Sequence, residues 1–432
     1  MPSNTPIRAM TSSLRPDMSE WLLHFIHDRN SKNEPIPEDL FGEGAPDFFP
    51  ANADSKKNDR YVDFFINENE CASLDADATA FQILNKILDQ GLLRSGWSFR
   101  NGRATIYGPR SAVCFTEMPL SSLLAYARER GDERSVGKYA VGLLKSELYM
   151  VGGRPVLYGL TRQHQEVSKV AWPRFLAPEC GIGEYEQYRY VPLKLGAFRN
   201  IDWTHEREWR WADHEDKIDI PGLPIWRANG VVQFSRALVV VQTEQEAVEV
   251  LSHLRRCLDS NSDIFGNAYN KDLLKATYVV SLEQLEKAKL LGPDAMLTVE
   301  QIPHHLLQPI PMIPASAEAK IQVRRVLQEA VHAAGVAAAE WRKGGDRDAC
   351  GFAELVIDDG LAEFTRAGLE MGLLKPFAGI DPFGSGGYWV EGVSSVCEMQ
   401  GLGEAESASE AAKKVIERNF PELPMHVWTR WD

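Results

Sequence analysis

The stretch His205-Glu206-Arg207-Glu208-Trp209-Arg210-Trp211 packs acidic, basic and aromatic side chains together just after Trp203. Its aromatic content favours an extended chain, and in a strand alternate residues share a face. Glu206 and Glu208 then point the same way, together with Arg210, while His205, Arg207, Trp209 and Trp211 take the other face. Two carboxylates on one face repel unless a cation or hydroxyl lies near, and Arg210 supplies that counter-charge. The segment alone supports two readings: a salt-bridged edge strand, or a pair of working carboxylates.

Working towards the N-terminus, many short strand-like runs and few helices precede the heptapeptide. Trp21-Leu22-Leu23-His24-Phe25-Ile26 suits a buried strand interrupted only by His24. Phe81, Leu84 and Leu88, widened by Ile83 and Ile87, make the apolar stripe of a helix that Gly91 terminates. Ala112 to Thr116 reads as a strand stopped by Pro119, and further strands are expected at Tyr139–Leu144, Pro155–Tyr158 and Val191–Leu195. Towards the C-terminus, Val231 to Gln242 is strongly β-branched, residues 244–258 and 283–291 look helical, and Thr277 to Ser281 reads as a strand.

Residues 1–18 read as a flexible tail, and 28–60, rich in Pro, Asn, Asp, Lys and Gly, as an insertion within a domain spanning 19–301. Pro303, Pro309, Pro311 and Pro314 mark 302–316 as a linker, because proline fixes φ and removes a donor. Residues 317–432 then form a small α+β domain: a helix over Ala317–Trp341, strands at Gly351–Ile357 and Gly387–Val393, a helix over Ser407–Asn419, and a last strand at Met425–Trp431. Its position suggests a role in binding targets.

The whole chain has 432 residues, and its 47 basic against 61 acidic residues leave a formal charge of −14. Global repulsion from phosphates excludes a bulk electrostatic binder of nucleic acid, though not a local basic groove. Six cysteines stand singly, with no Cys-x-x-Cys pair, as expected of reduced thiols in a cytoplasmic protein. No apolar run approaches membrane-spanning length, so no membrane partner is expected. Walker, dinucleotide-fingerprint and His-Glu-x-x-His patterns are missing, and no metal site is expected.

Several constellations carry possible chemistry. His24, lone in an apolar strand, reads either as a satisfied core residue or as a ring nitrogen offered to a ligand. Cys114-Phe115-Thr116-Glu117 places polar side chains where a strand ends, and Gly152-Gly153-Arg154 permits close backbone approach with a guanidinium able to hold phosphate. Arg94, Trp97, Arg100, Arg103 and Arg110 interleave cations with aromatics, as single-stranded nucleic acid requires, and Tyr185, Tyr188, Arg189 and Tyr190 form a second such patch.

In order, Leu23-His24-Phe25, the Ile-Leu-x-x-Gly-Leu-Leu of 87–93, Cys114-Phe115-Thr116-Glu117-Met118-Pro119-Leu120, Gly152 to Tyr158 and Glu206-x-Glu208-Trp209-Arg210 resemble a known set. They are similar to the ADP-ribosyltransferase-like proteins of bacterial phage defence. The abortive-infection AbiGi type is nearest in wording, with DarT- and CmdT-like nucleic-acid modifiers more distant. The resemblance covers roughly residues 20–243. It implies a split β-sandwich with peripheral helices, holding NAD between two small sheets. It further implies that His24, with Phe25 beside it, contacts the nicotinamide-side ribose. Thr116 and Tyr158 would line the nicotinamide pocket, and Glu208, preceded by Glu206, would do the catalytic work. Two departures stand out: the 28–60 insertion, and Thr116-Glu117 in place of the Ser-Thr-Ser of many arginine-modifying transferases.

The chemistry suits these residue types. Breaking the nicotinamide–ribose bond develops an oxocarbenium-like cation, which a nearby carboxylate stabilises. A second carboxylate can deprotonate the acceptor, and Arg154 would neutralise the pyrophosphate. The expected activity is NAD-dependent ADP-ribosyl transfer by a defence or toxin effector. RNA or DNA is the favoured acceptor, protein stays open, and a neutralising antitoxin is a further expected partner. The rival expectations are an inactive binding module of the same fold, and an NAD glycohydrolase.

Overall fold

The computed structural model describes residues 18–431 except 29–77, 101–102, 123, 125–137, 162–165, 168–173, 197–199, 213–221, 229–232, 264–265, 292–295, 345–348, 378–385 and 399–400. Nearly all of the expected tail and insertion therefore lies outside the described residues. The chain is α+β and divides into two compact units: residues 1–247 with 270–308, and residues 248–269 with 309–432. The boundary at 308 falls inside the proline-bearing stretch, whereas residues 248–269 join the second unit and not the first.

The first unit opens with β1 (Trp21–Ile26) and α1 (Ala80–Gln90). The Thr79 hydroxyl and Gln82 cap the start of α1 reciprocally, and Gly91 ends it at φ 62°, a left-handed position glycine takes at no steric cost. Short strands follow at β2 (Leu92–Arg94), β3 (Phe99–Arg100), β4 (Arg103–Ala104) and β5 (Val113–Thr116). After β6 (Tyr139–Leu144) and α2 (Lys145–Met150) come β7 (Arg154–Pro155), β8 (Leu157–Tyr158), β9 (Tyr190–Val191), β10 (Glu208–Trp211) and β11 (Gly222–Pro224). The chain continues through β12 (Ala237–Val241), α3 (Glu244–Asp259), whose residues from 248 onward belong to the second unit, α4 (Lys271–Lys275), β13 (Thr277–Ser281), α5 (Leu282–Lys287) and β14 (Gln308–Pro309).

Eight of these strands make one mixed sheet in the order β14-β13-β12-β6-β1-β5-β10-β7. The ladder has a weak seam, and three two-stranded sheets, β11-β2, β3-β4 and β8-β9, stand outside it. β1 pairs with β6 along its whole length, from Trp21↔Leu144 to Ile26↔Tyr139, but with β5 only at Leu23↔Thr116. Ala237-Leu238-Val239-Val240-Val241 is buried throughout because β12 lies inside the sheet, parallel to β13 and antiparallel to β6. Leu23, Ala140, Leu238, Val240 and Val280 join one apolar cluster, each larger side chain contributing about 1.5–3 kcal/mol by burial.

The second unit adds α6 (Ala317–Lys343), β15 (Gly351–Ile357), α7 (Glu363–Glu370), β16 (Leu374–Phe377), β17 (Gly387–Val390), α8 (Leu402–Asn419) and β18 (Met425–Trp431). Its four strands are antiparallel in the order β16-β17-β15-β18. Ala330, Ala334 and Ala338 of α6 and Ala408 and Ala412 of α8 are buried in one cluster with Leu355, Ile357 and Val390 of the sheet. Small side chains at four-residue spacing let the two helices approach closely.

Candidate functional site

A cavity of about 650 Å³ opens along the seam between β1 and β5 and extends to β10. Leu23, His24 and Phe25 line it from β1, Cys114, Phe115 and Thr116 from β5, and Glu206, Glu208 and Arg210 from the heptapeptide. Where β1 stops pairing with β5, the His24 ring takes over: its Nδ1 lies 2.8 Å from the carbonyl oxygen of Cys114. A carbonyl can only accept, so Nδ1 carries the proton. Burial lowers the His24 pKa below its ordinary value, outweighing this hydrogen bond, and the neutral ring keeps a lone pair on Nε2.

Glu208 begins β10, opposite Thr116 in the register. Its carboxylate is held by Arg210, with Nε 2.6 Å from Oε1 and Nη2 3.2 Å from Oε2. Arg210 is itself buried, and its Nη1 donates to the Tyr188 carbonyl. The expected sharing of a face by Glu208 and Arg210 therefore holds. The expectation for Glu206 does not: Thr204–Glu206 is a single 3-10 turn, and Arg207 follows in the left-handed region at φ 45°. A left-handed residue breaks the two-residue alternation of a strand. Glu206 still reaches the cavity wall, but from the turn preceding the strand.

The polar residues around this pair act mainly on its backbone. The Thr116 hydroxyl donates to the Glu206 carbonyl and accepts from the Met118 amide at 3.1 Å. The Tyr158 hydroxyl accepts from the Glu208 amide at 2.7 Å. Burial and the Glu208 and Glu206 carboxylates push that phenol up to about 12, although the amide contact opposes the shift. Burial and the neighbouring Glu208 carboxylate likewise raise the Cys114 thiol well above its usual range, which argues against a thiolate nucleophile.

No protein-family model, curated protein or solved structure matches this chain. The site is therefore read from its geometry.

Arg154, expected at a pyrophosphate, lies outside the cavity lining. Its guanidinium folds back over the Tyr149 ring at 4.0 Å and donates to the Tyr149 and Gly153 carbonyls at 2.6 and 2.7 Å. Two other arginines reach the wall. Arg94 lines the cavity with its Nε donating to Gln90 Oε1 at 3.0 Å. Arg174 lines it while paired with Glu166 at 2.7 Å and lying 4.2 Å over Tyr107. No sequence motif surrounds Arg174 to announce it. Its partner Glu166, eight residues earlier, also pairs with Arg103 at 2.8 Å.

The arginine–aromatic set expected to bind nucleic acid is dispersed. Trp97 is only 2% exposed and packs with Ala104, Ile106 and Tyr188, so it offers no stacking surface. Apolar burial outweighs its suitability as a platform. Arg103 is exposed but tied to Glu166, Arg110 lies 4.8 Å over Tyr185, and the Arg100 side chain lies outside the described residues. Tyr188 and Tyr190 are buried as well. Among the described residues, no group of three or more His, Cys, Asp or Glu side chains is arranged to hold a metal, and no helix is long and apolar enough to cross a membrane.

Proposed function

We propose that the cavity binds NAD and that the protein transfers ADP-ribose from it, as a defence or toxin effector with an ADP-ribosyltransferase-like fold. The observation that carries this reading is the convergence of His24, Thr116, Glu206 and Glu208 on one cavity from three separate stretches of chain. His24 Nε2 accepts from a ribose hydroxyl, and Arg94 or Arg174 meets the pyrophosphate. A carboxylate has about four acceptor sites. Arg210 occupies two on Glu208, leaving capacity for the 2′-hydroxyl beside the developing oxocarbenium. As the C–N bond to nicotinamide breaks, its electron pair leaves with the base. The acceptor attacks the ribose and gives up its proton to Glu206.

The Glu208–Arg210 pair also favours a second reading, a non-catalytic binding module in which the glutamate is purely structural. Incubating labelled NAD with separate pools of RNA, DNA and cell protein separates the two. Wild type releases nicotinamide and labels one pool, while Glu208→Gln and Glu208→Ala lose a hundred-fold or more, on the order of one electrostatic stabiliser. Nicotinamide release without label identifies a glycohydrolase. If wild type releases nothing and labels nothing, the transferase reading is wrong.

A further inference from the structure

The sheet of the second unit has two chemically different faces. Leu355, Ile357, Tyr388, Val390 and Val427 join the cluster formed with the helices. Their strand neighbours point the opposite way, because side chains alternate. In register, Arg430 stands opposite Phe352, Trp428 opposite Glu354, and Trp389 opposite both Val356 and Lys375. The second face therefore carries Phe352, Trp389 and Trp428 across three adjacent strands. Phe377 supports the two indoles from the edge: it stacks on Trp389 at 5.0 Å and 18°, and meets Trp428 edge-on at 5.6 Å. Phe377 is buried, the indoles are half-buried, and Phe352 is 43% exposed.

One exposed cation, Arg430, edges this face, while Lys375 is held by Glu391. Lys375 and Arg430 stand on the two edge strands, β16 and β18, with the rings between them. The acids nearby have cationic or hydroxyl partners: Glu391 pairs with Lys375, and Asp358 with His426 at 3.1 Å. Glu354 is bonded to Ser394, and burial raises its carboxyl above the ordinary range. The element order from β15 to β18 is a split βαβ arrangement with β15 and β17 central. A four-stranded sheet that displays aromatic rings on its open face can stack unpaired bases.

We propose that this face binds single-stranded nucleic acid, with successive bases stacked on Phe352, Trp389 and Trp428 and the backbone passing Arg430. The assignment is independent of what the first unit's cavity does. Stacking needs only a ring face, so RNA and DNA share the chemistry, while a duplex keeps its bases inside.

The test uses the full chain with fluorescein-labelled single-stranded RNA and DNA dodecamers, and the matching duplex, in fluorescence anisotropy at low salt. Single strands bind and the duplex does not. Phe352→Ser and Trp428→Leu each weaken binding about ten-fold, as expected for one lost stacking contact. Arg430→Gln lowers the slope of log affinity against log salt by about one. Preference for either RNA or DNA supports the proposal. Phe352 is exposed, so Phe352→Ser, with its circular dichroism unchanged, keeps the test valid if a tryptophan variant fails to fold. Wild-type affinity in both ring variants, equal duplex binding, or binding of a proline-rich peptide with no nucleic-acid binding would overturn it.

Discussion

His24 Nδ1 lies 2.8 Å from the Cys114 carbonyl oxygen, at the point where β1 and β5 cease to pair. A side chain thereby bonds a carbonyl beside the last rung of the ladder. The same contact fixes the tautomer and leaves Nε2 as an acceptor at the cavity wall. One histidine both fills the strand gap and lines the cavity, because the gap borders the cavity wall.

This geometry makes stability depend on pH. Burial holds the folded-state pKa of His24 below its ordinary 6.5, so the unfolded chain takes up the proton first. The contribution is complete above that ordinary value and is lost as pH falls through it towards the lower folded-state value. The slope is at most about 1.4 kcal/mol per pH unit for one group. Urea midpoints of wild type and His24→Gln, compared at about pH 7.5 and about pH 5.5, check this. Wild type loses more stability on acidification than the variant, whose amide still donates to Cys114. Equal losses would remove His24 as the group responsible.

Arg210 is buried, Glu208 is part-buried on the cavity wall, and two contacts bond them, so removing one partner strands the other. Arg210→Gln costs about 3 kcal/mol, the lower end of the penalty for a stranded buried charge, because Glu208 keeps some solvent at the cavity wall. The double variant Glu208→Gln/Arg210→Gln is more stable than Arg210→Gln alone, because two neutral amides need no counter-charge. Guanidinium denaturation of the four combinations measures the coupling. Additive losses would mean that the pair contributes nothing beyond its separate side chains.

The strands most legible in the sequence were those whose surroundings are set by apolar runs. Thr277–Ser281 and Gly351–Ile357 fall where periodicity places them, and Gly91 ends α1 as its type demands. The pairing of Glu208 with Arg210 was legible because a strand repeats every two residues. The turn at Glu206 is not legible in the sequence, because nothing about Arg207, a residue that normally avoids positive φ, announces a left-handed position. Trp97 illustrates a different blindness: an indole beside arginines looks the same whether it stacks on a base or fills a core. In the second unit, Glu363–Glu370 and Leu374–Phe377 went unread, being short and interrupted by Gly368 and Pro376. Without them the sheet order, and hence its aromatic face, could not be derived.

Arg207 offers the sharpest test of how the glutamates are arranged. At φ 45° it pays the left-handed penalty of a residue with a Cβ, about 1–2 kcal/mol. Glycine escapes that penalty but loses roughly 0.5–1 kcal/mol more backbone entropy on folding. Arg207→Gly therefore changes stability little and keeps the turn. Arg207→Val adds a β-branched side chain at the same φ and destabilises the turn further. Because the turn, not the strand, brings Glu206 to the cavity, Arg207→Val also weakens whatever the cavity binds, whereas Arg207→Gly does not. Thermal midpoints together with calorimetric titration of NAD separate the two effects. If the valine variant matches the glycine variant in both, the left-handed residue does not set the position of Glu206.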